Sequence, residues 1–172
     1  MLSNEQQLID EIKHNALYRM DENSRMIGIA LRSIDEAEVW KRPNEVSNSV
    51  GNQILHLCGN ITQYINSSLG KNEDLRERDL EFSAQEGFSK TELLGKLLET
   101  TLKAKDVILH STLDDLLEKR AVQGFNFTGV GCIIHAVEHY SYHTGQIAFW
   151  VKQLKSKSLG FYDGVDLTIK NK

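Results

Sequence analysis

Proline is almost missing from this chain: Pro43 is the single one in 172 residues, and glycine is held to twelve. That scarcity disfavours a turn-rich β-sandwich. No apolar run approaches the roughly 18 residues needed to span a bilayer, so a membrane partner is not expected. The start, Met1–Gln7, is polar and does not read as a secretory signal. No basic block occurs; Lys and Arg are dispersed among acids and the net charge is −4, which argues against nucleic-acid binding. The only two cysteines, Cys58 and Cys132, form no CxxC motif and read as reduced thiols of a cytoplasmic protein. No repeat, low-complexity tract or long linker divides the chain. One domain over 1–172 is therefore expected, with 156–172 as a peripheral tail.

What is present is helical periodicity. Leu8, Ile12, Ala16, Met20, Ile27, Leu31 and Ile34 recur at three-, four- and seven-residue intervals and predict a first helix over 3–34, with Ser3 and Gln6 as a capping box. Pro43 ends any helix before it. Val50, Ile54, Leu57, Ile61, Tyr64 and Ile65 stripe a second helix over 48–69, with Gly70 as its stop. The charged segment 71–88 reads as a connection. Ser89 and Glu92 cap a third helix, carried to His110 by Leu93, Leu94, Leu97, Leu98, Leu102, Val107 and Ile108. A short helix over 112–118 and a strand or extended loop over 120–127 precede a last helix over 128–155. Lys152 and Lys155 in its final turn suit the helix dipole. Four long helices with short connections predict an all-α four-helix bundle.

Three of the six histidines, His135, His139 and His143, fall at four-residue intervals on the last helix. Residues four apart share a helix face, so His139 and His143 can grip one metal ion with little backbone strain. The pair lies in an otherwise apolar helix, and His56 lies in the apolar run Ile54-Leu55-His56-Leu57-Cys58. Buried imidazoles need a partner for each ring nitrogen, and bundles build metal sites from facing helices. Three nitrogens from two helices would leave a coordination position open, the mark of a catalytic site. His135 reads as a supporting or core residue, because two four-residue steps turn about 80° and climb about 12 Å, too far for one ion. Glu138 reads as a general base or a salt-bridge partner, and Gln146 as a group that holds the His143 ring or a metal-bound water. Tyr64, Tyr140, Tyr142 and Trp150 fit either a pocket lining or core. His14 and His110 read as surface or packing residues.

With His56 in the second helix and His139-x-x-x-His143-Thr144-Gly145-Gln146-Ile147 in the last, the chain resembles the DinB-like (DinB/YfiT-like) superfamily from Met1 to Lys155. The resemblance implies a four-helix bundle in up-down-down-up order, with 71–88 as the long crossover. It implies a divalent metal (nickel, zinc or iron) on His56, His139 and His143, and a homodimer. It also implies transfer of a low-molecular-weight thiol of the bacillithiol type to small electrophilic molecules. Such a site needs no protein nucleophile, because the metal stabilises the charge. The alternatives are a metal-dependent hydrolase with a metal-bound water as nucleophile, a non-enzymatic metal-clamped dimerisation or binding module, and plain core histidines satisfied by neighbours.

Overall fold

The computed structural model describes residues 3–171. The outermost residues of the expected 1–172 domain, and the first two of the polar start 1–7, lie outside them. Among the described residues the chain forms seven α-helices, a π-helical segment and one two-stranded hairpin, so the fold is predominantly helical. No helix is long and apolar enough to cross a membrane.

Helix α1 (Asn4–Arg32) starts where the Ser3 hydroxyl accepts from the Gln6 backbone N–H. Its buried face, Ala16, Met20, Ile27 and Leu31, follows the expected spacing. Leu8, counted in the same stripe, is instead 64 % exposed, at the open end of the helix. A one-turn helix α2 (Glu36–Val39), not foreseen, is closed by a capping box between Asp35 and Glu38. Helix α3 (Val50–Ile61) begins with a Ser49–Asn52 capping box and buries all its residues but Gly59. Gly51 lies under the Trp40 ring, where a Cβ would come within 2.7 Å.

The expected 48–69 helix keeps its extent but changes its winding: Thr62–Leu69 is π-helical. The Gly70 and Asn72 N–H groups close five-residue steps onto Ile65 and Ser67 carbonyls at 2.8 and 3.0 Å. Gly70 itself keeps a right-handed φ of −78°. Lys71 takes the left-handed position (φ 57°) that a terminating glycine usually occupies. The segment read as a plain connection contains helix α4 (Arg78–Ser83).

Helix α5 (Lys90–His110) buries Leu93, Leu97, Thr101, Ala104 and Ile108. Leu98 and Leu102, expected in that stripe, are 47 % and 68 % exposed. The inward position beside Leu102 goes to Thr101, whose hydroxyl is satisfied by the Leu97 carbonyl at 2.8 Å. Short helix α6 (Leu113–Leu117) leads into strands β1 (Lys119–Val122) and β2 (Phe125–Thr128), which pair antiparallel around Gln123-Gly124. Both turn residues have positive φ, as a two-residue hairpin requires.

Helix α7 (Gly129–Lys155) completes the structure and ends on a left-handed Ser156. Helix α1 packs on α5 and α7, and α3 packs on the same two; Met20, Ile27, Tyr64 and Tyr140 are all fully buried. Beyond α7, Leu159 is buried and Phe161 packs on the core. The Phe161 carbonyl accepts from Arg25 at 2.9 Å.

Candidate metal centre

Helix α3 is buried on nearly every side, so its polar residues must find partners inside. Gln53, His56, Asn60 and Gln63 recur at three- and four-residue steps and form a polar stripe facing α7 and the 71–88 segment. His56 is 6 % exposed. Its Nδ1 lies 2.8 Å from Glu81 Oε2. The Glu81 carboxylate also accepts from Arg76 Nε at 2.7 Å and Arg76 Nη2 at 2.8 Å. Arg76 reaches on to Gln63 Oε1 at 2.8 Å.

Burial pushes the Glu81 carboxyl up, but hydrogen bonds from Arg76 and His56 outweigh it and hold the pKa below its ordinary value. An ionised carboxylate can only accept, so the His56 proton is assigned to Nδ1 and Nε2 keeps its lone pair. Arg76 Nη2 sits 3.1 Å from the same Nδ1. Both are donors, so that approach reflects their shared acceptor and is not a bond between them.

The His56 lone pair points at α7. His139 Nε2 lies 2.9 Å from His56 Nε2. His143, one turn on, places its ring centroid 4.5 Å from that of His139 and 5.0 Å from that of His56. One ring nitrogen from each of the three can be chosen so that all lie within 4.8 Å of one another. His143 Nδ1 donates to Gln53 Oε1 at 3.3 Å.

Burial lowers the pKa of His139 to about 3, helped by the neighbouring His143, His56, His135 and Arg76. Burial lowers that of His143 to about 4, against a smaller upward pull from its hydrogen bond to Gln146. Both rings are neutral at pH 7, the form that binds metals. Two nitrogens each about 2.1 Å from one ion stand roughly 3.0–3.4 Å apart at angles of about 90–110°. The donor type and the 2.9 Å His56–His139 separation suit a divalent cation, which the three rings could hold. A carboxylate behind a ligating imidazole is the usual device that fixes such a ring.

His135 lies outside this group. Its ring stacks on Tyr64 (centroids 3.9 Å apart) and on His139 (5.5 Å), and its Nε2 accepts from Asn60 Nδ2 at 3.2 Å. Glu138 is exposed in the groove between α7 and α1, beside Asn15 and Arg19, and reaches the site only through its charge on His135. Tyr142 is 61 % exposed and stands edge-on to His143 at 5.1 Å. Tyr64 and Tyr140 are core, and Trp150 donates to the Lys41 carbonyl at 3.1 Å. Cys58 and Cys132 are buried free thiols, with burial raising Cys58 to about 12. His14 and His110 are exposed and bond their own helix carbonyls. Sequence reading did not find Gln53, Asn60, Arg76 or Glu81; the polar stripe along α3 was the available signal for the first two.

Residues 8–162 match the profile of a family described as "Protein of unknown function (DUF1572)". The chain belongs to that family. No curated protein matches this DUF1572 member. Among solved structures, it is similar to the crystal structure of a DinB-like protein, YjoA from Bacillus subtilis, with a TM-score of 0.62 and 16 % identity over 81 % of this chain and 91 % of that one. The fold of this DUF1572 member is DinB-like, as the resemblance implied.

Proposed function

We propose that His56, His139 and His143 bind a divalent metal (nickel, zinc or iron) and that the protein transfers a low-molecular-weight thiol of the bacillithiol type to electrophilic small molecules. The observation that carries this reading is the composition of the cluster. Three imidazoles converge, and among the described residues no carboxylate or thiol joins them. A three-nitrogen set leaves room for an exogenous ligand and keeps the full cationic charge. A divalent ion bound there lowers the pKa of a thiol it meets and stabilises the thiolate.

The chain's own residues supply the frame. Glu81 and Arg76 fix the His56 tautomer, Gln53 and Gln146 hold His143, and His135 stacks behind His139. In the transfer a sulfur–carbon bond forms as the leaving group departs the electrophile, and the thiol proton passes to solvent. The position of Glu138, on the α1 side of α7, disfavours its use as base for a hydrolytic water. The helix contacts support a single-domain four-helix bundle; its up-down-down-up order with 71–88 as crossover rests on the DinB-like resemblance. The homodimer rests on the DinB-like resemblance. The two free buried thiols are consistent with a cytoplasmic setting.

The test is elemental analysis of protein purified without a metal-affinity tag, beside His139→Ala, followed by assay with bacillithiol and a thiol-reactive dye. About one equivalent of metal, lost together with turnover in the variant, is expected for a single three-nitrogen site. Turnover that survives loss of the metal would refute the transferase reading.

A further inference from the structure

A second stripe runs along the sequence that follows Ser49. Leu55, Cys58, Gly59 and Thr62 recur at three- and four-residue steps, roughly 130° around the helix from His56 and its polar neighbours. They form one wall of a cavity of about 700 Å³. The 71–88 segment and α5 supply the other walls, and no histidine lines it. Leu75, Leu80 and Phe88 border the cavity and are all exposed, Leu75 to 75 %. Large apolar side chains left bare around one concavity mark a ligand site.

This chamber adjoins a smaller, polar cavity of about 440 Å³, and Thr62, Glu73, Lys96 and Thr100 line both. The joined hollow is therefore amphipathic, with an apolar body and a polar end. Charge at that end selects the head group. Arg76 is occupied by Glu81 and Gln63. Among the described residues Lys96 enters no ion pair; Glu99, nearly one turn on, bonds Lys103 at 2.7 Å. Burial raises the Cys58 thiol in the cavity wall, and the Thr100 hydroxyl and the Lys96 ammonium pull against it, so both stand near that wall. Glu73 shares the polar end, exposed to water, and makes an ammonium head the rival that the experiment must separate.

We propose that this hollow binds a carboxylate-headed lipophile, such as a medium-chain fatty acid, with its chain against Leu55, Leu80 and Phe88 and its carboxylate at Lys96, Thr62 and Thr100. A carboxylate accepts only, and an ammonium and two hydroxyls can all donate to it. The chain takes the three exposed apolar side chains out of water. Arg76 and Glu81 line the same chamber, so a bound chain rests against the pair that orients His56. The site itself needs neither a bound metal nor the thiol-transfer reading.

The test is calorimetric titration of the full chain with octanoate, 1-octanol and octylamine, all as monomers in solution, together with the methyl NMR signals of Leu55 and Leu80. Octanoate is expected to bind at about one equivalent, as a single cavity requires, more tightly than the other two, and to shift both leucines. Lys96→Met, at an exposed position, is expected to weaken octanoate about fivefold, the worth of an exposed ion pair, and to leave octanol unchanged. Leu80→Gln, also exposed, is expected to weaken octanoate and octanol alike, by about three- to tenfold. Octylamine binding more tightly than octanoate would assign the end to Glu73 and overturn the proposal. So would octanol matching octanoate, Lys96→Met without effect, or uptake of several equivalents with both leucines unmoved.

Discussion

Replacing Gly59 by alanine puts two magnitudes in opposition. Gly59 lies inside α3, where alanine is intrinsically better by about 1 kcal/mol. A Cβ there would overlap Glu81 Oε1 and lie 2.7 Å from Glu81 Cδ and 2.8 Å from Arg76 Nε. The obstacle is a buried ion pair with side chains 9 % and 3 % exposed, not a flexible tip in solvent. Displacing one partner of such a pair costs roughly 3–5 kcal/mol. The net expectation is a loss of about 2–4 kcal/mol, or roughly 5–15 °C in Tm for a domain of this size.

Gly95 is the control. It sits in the second turn of α5 with nothing within 4 Å of a Cβ, so Gly95→Ala is expected to gain up to about 1 kcal/mol. Urea and thermal unfolding by circular dichroism on both variants decides the matter. If Gly59→Ala is as stable as Gly95→Ala, the Arg76–Glu81 pair is not held as described and the account of His56 orientation fails with it.

Further outcomes follow from the same contacts. Glu81→Gln keeps an acceptor for His56 but removes the charge that fixes its tautomer, and metal affinity should fall about 10- to 100-fold in competition with a chelating dye; unchanged affinity would remove Glu81 from the site. In metal-free protein, His139 and His143 titrate near about 3 and about 4 against an ordinary 6.5. The unfolded chain therefore binds more protons throughout that interval, and stability rises with pH across it. Unfolding free energies from denaturant titrations should drop as pH falls from 6.5 toward 4, by about 3–5 kcal/mol once the partial exposure of His139 is discounted; a flat profile would contradict neutral, buried rings. Tyr140→Phe removes the hydroxyl bonded to Ser24 at 2.8 Å in the core and should cost about 1–2 kcal/mol in urea unfolding; no loss would mean that water or another group already serves Ser24.

The long helices were legible because their apolar spacing is local and strong, and the His139/His143 pair was legible because a four-residue step is itself a geometric statement. Leu8, Leu98 and Leu102 were misplaced because periodicity finds a face without saying where a neighbouring helix stops covering it. Arg76 and Glu81 were hidden for another reason. They lie in a stretch whose charge density reads as solvated, and only contact with α3, 20 and 25 residues back in sequence, makes them interior. The π-helical winding of 62–69 left no mark that periodicity over so few residues could detect. What sequence spacing captured of the candidate site was therefore the side supplied by α7; the support of His56 is tertiary.

His56 and His139 approach within 2.9 Å across 83 residues of chain. An ion held between them would act as a cross-link as well as a chemical centre. An ion that binds only the folded arrangement stabilises it by mass action, in proportion to the logarithm of free metal over its dissociation constant. Because the closing residues sit on the final helix, nearly the whole polypeptide must be in place before the clasp can form. The centre would then report on completion of folding, and loss of metal would be felt first as a faster unfolding rate rather than as a change in the shape of the native protein.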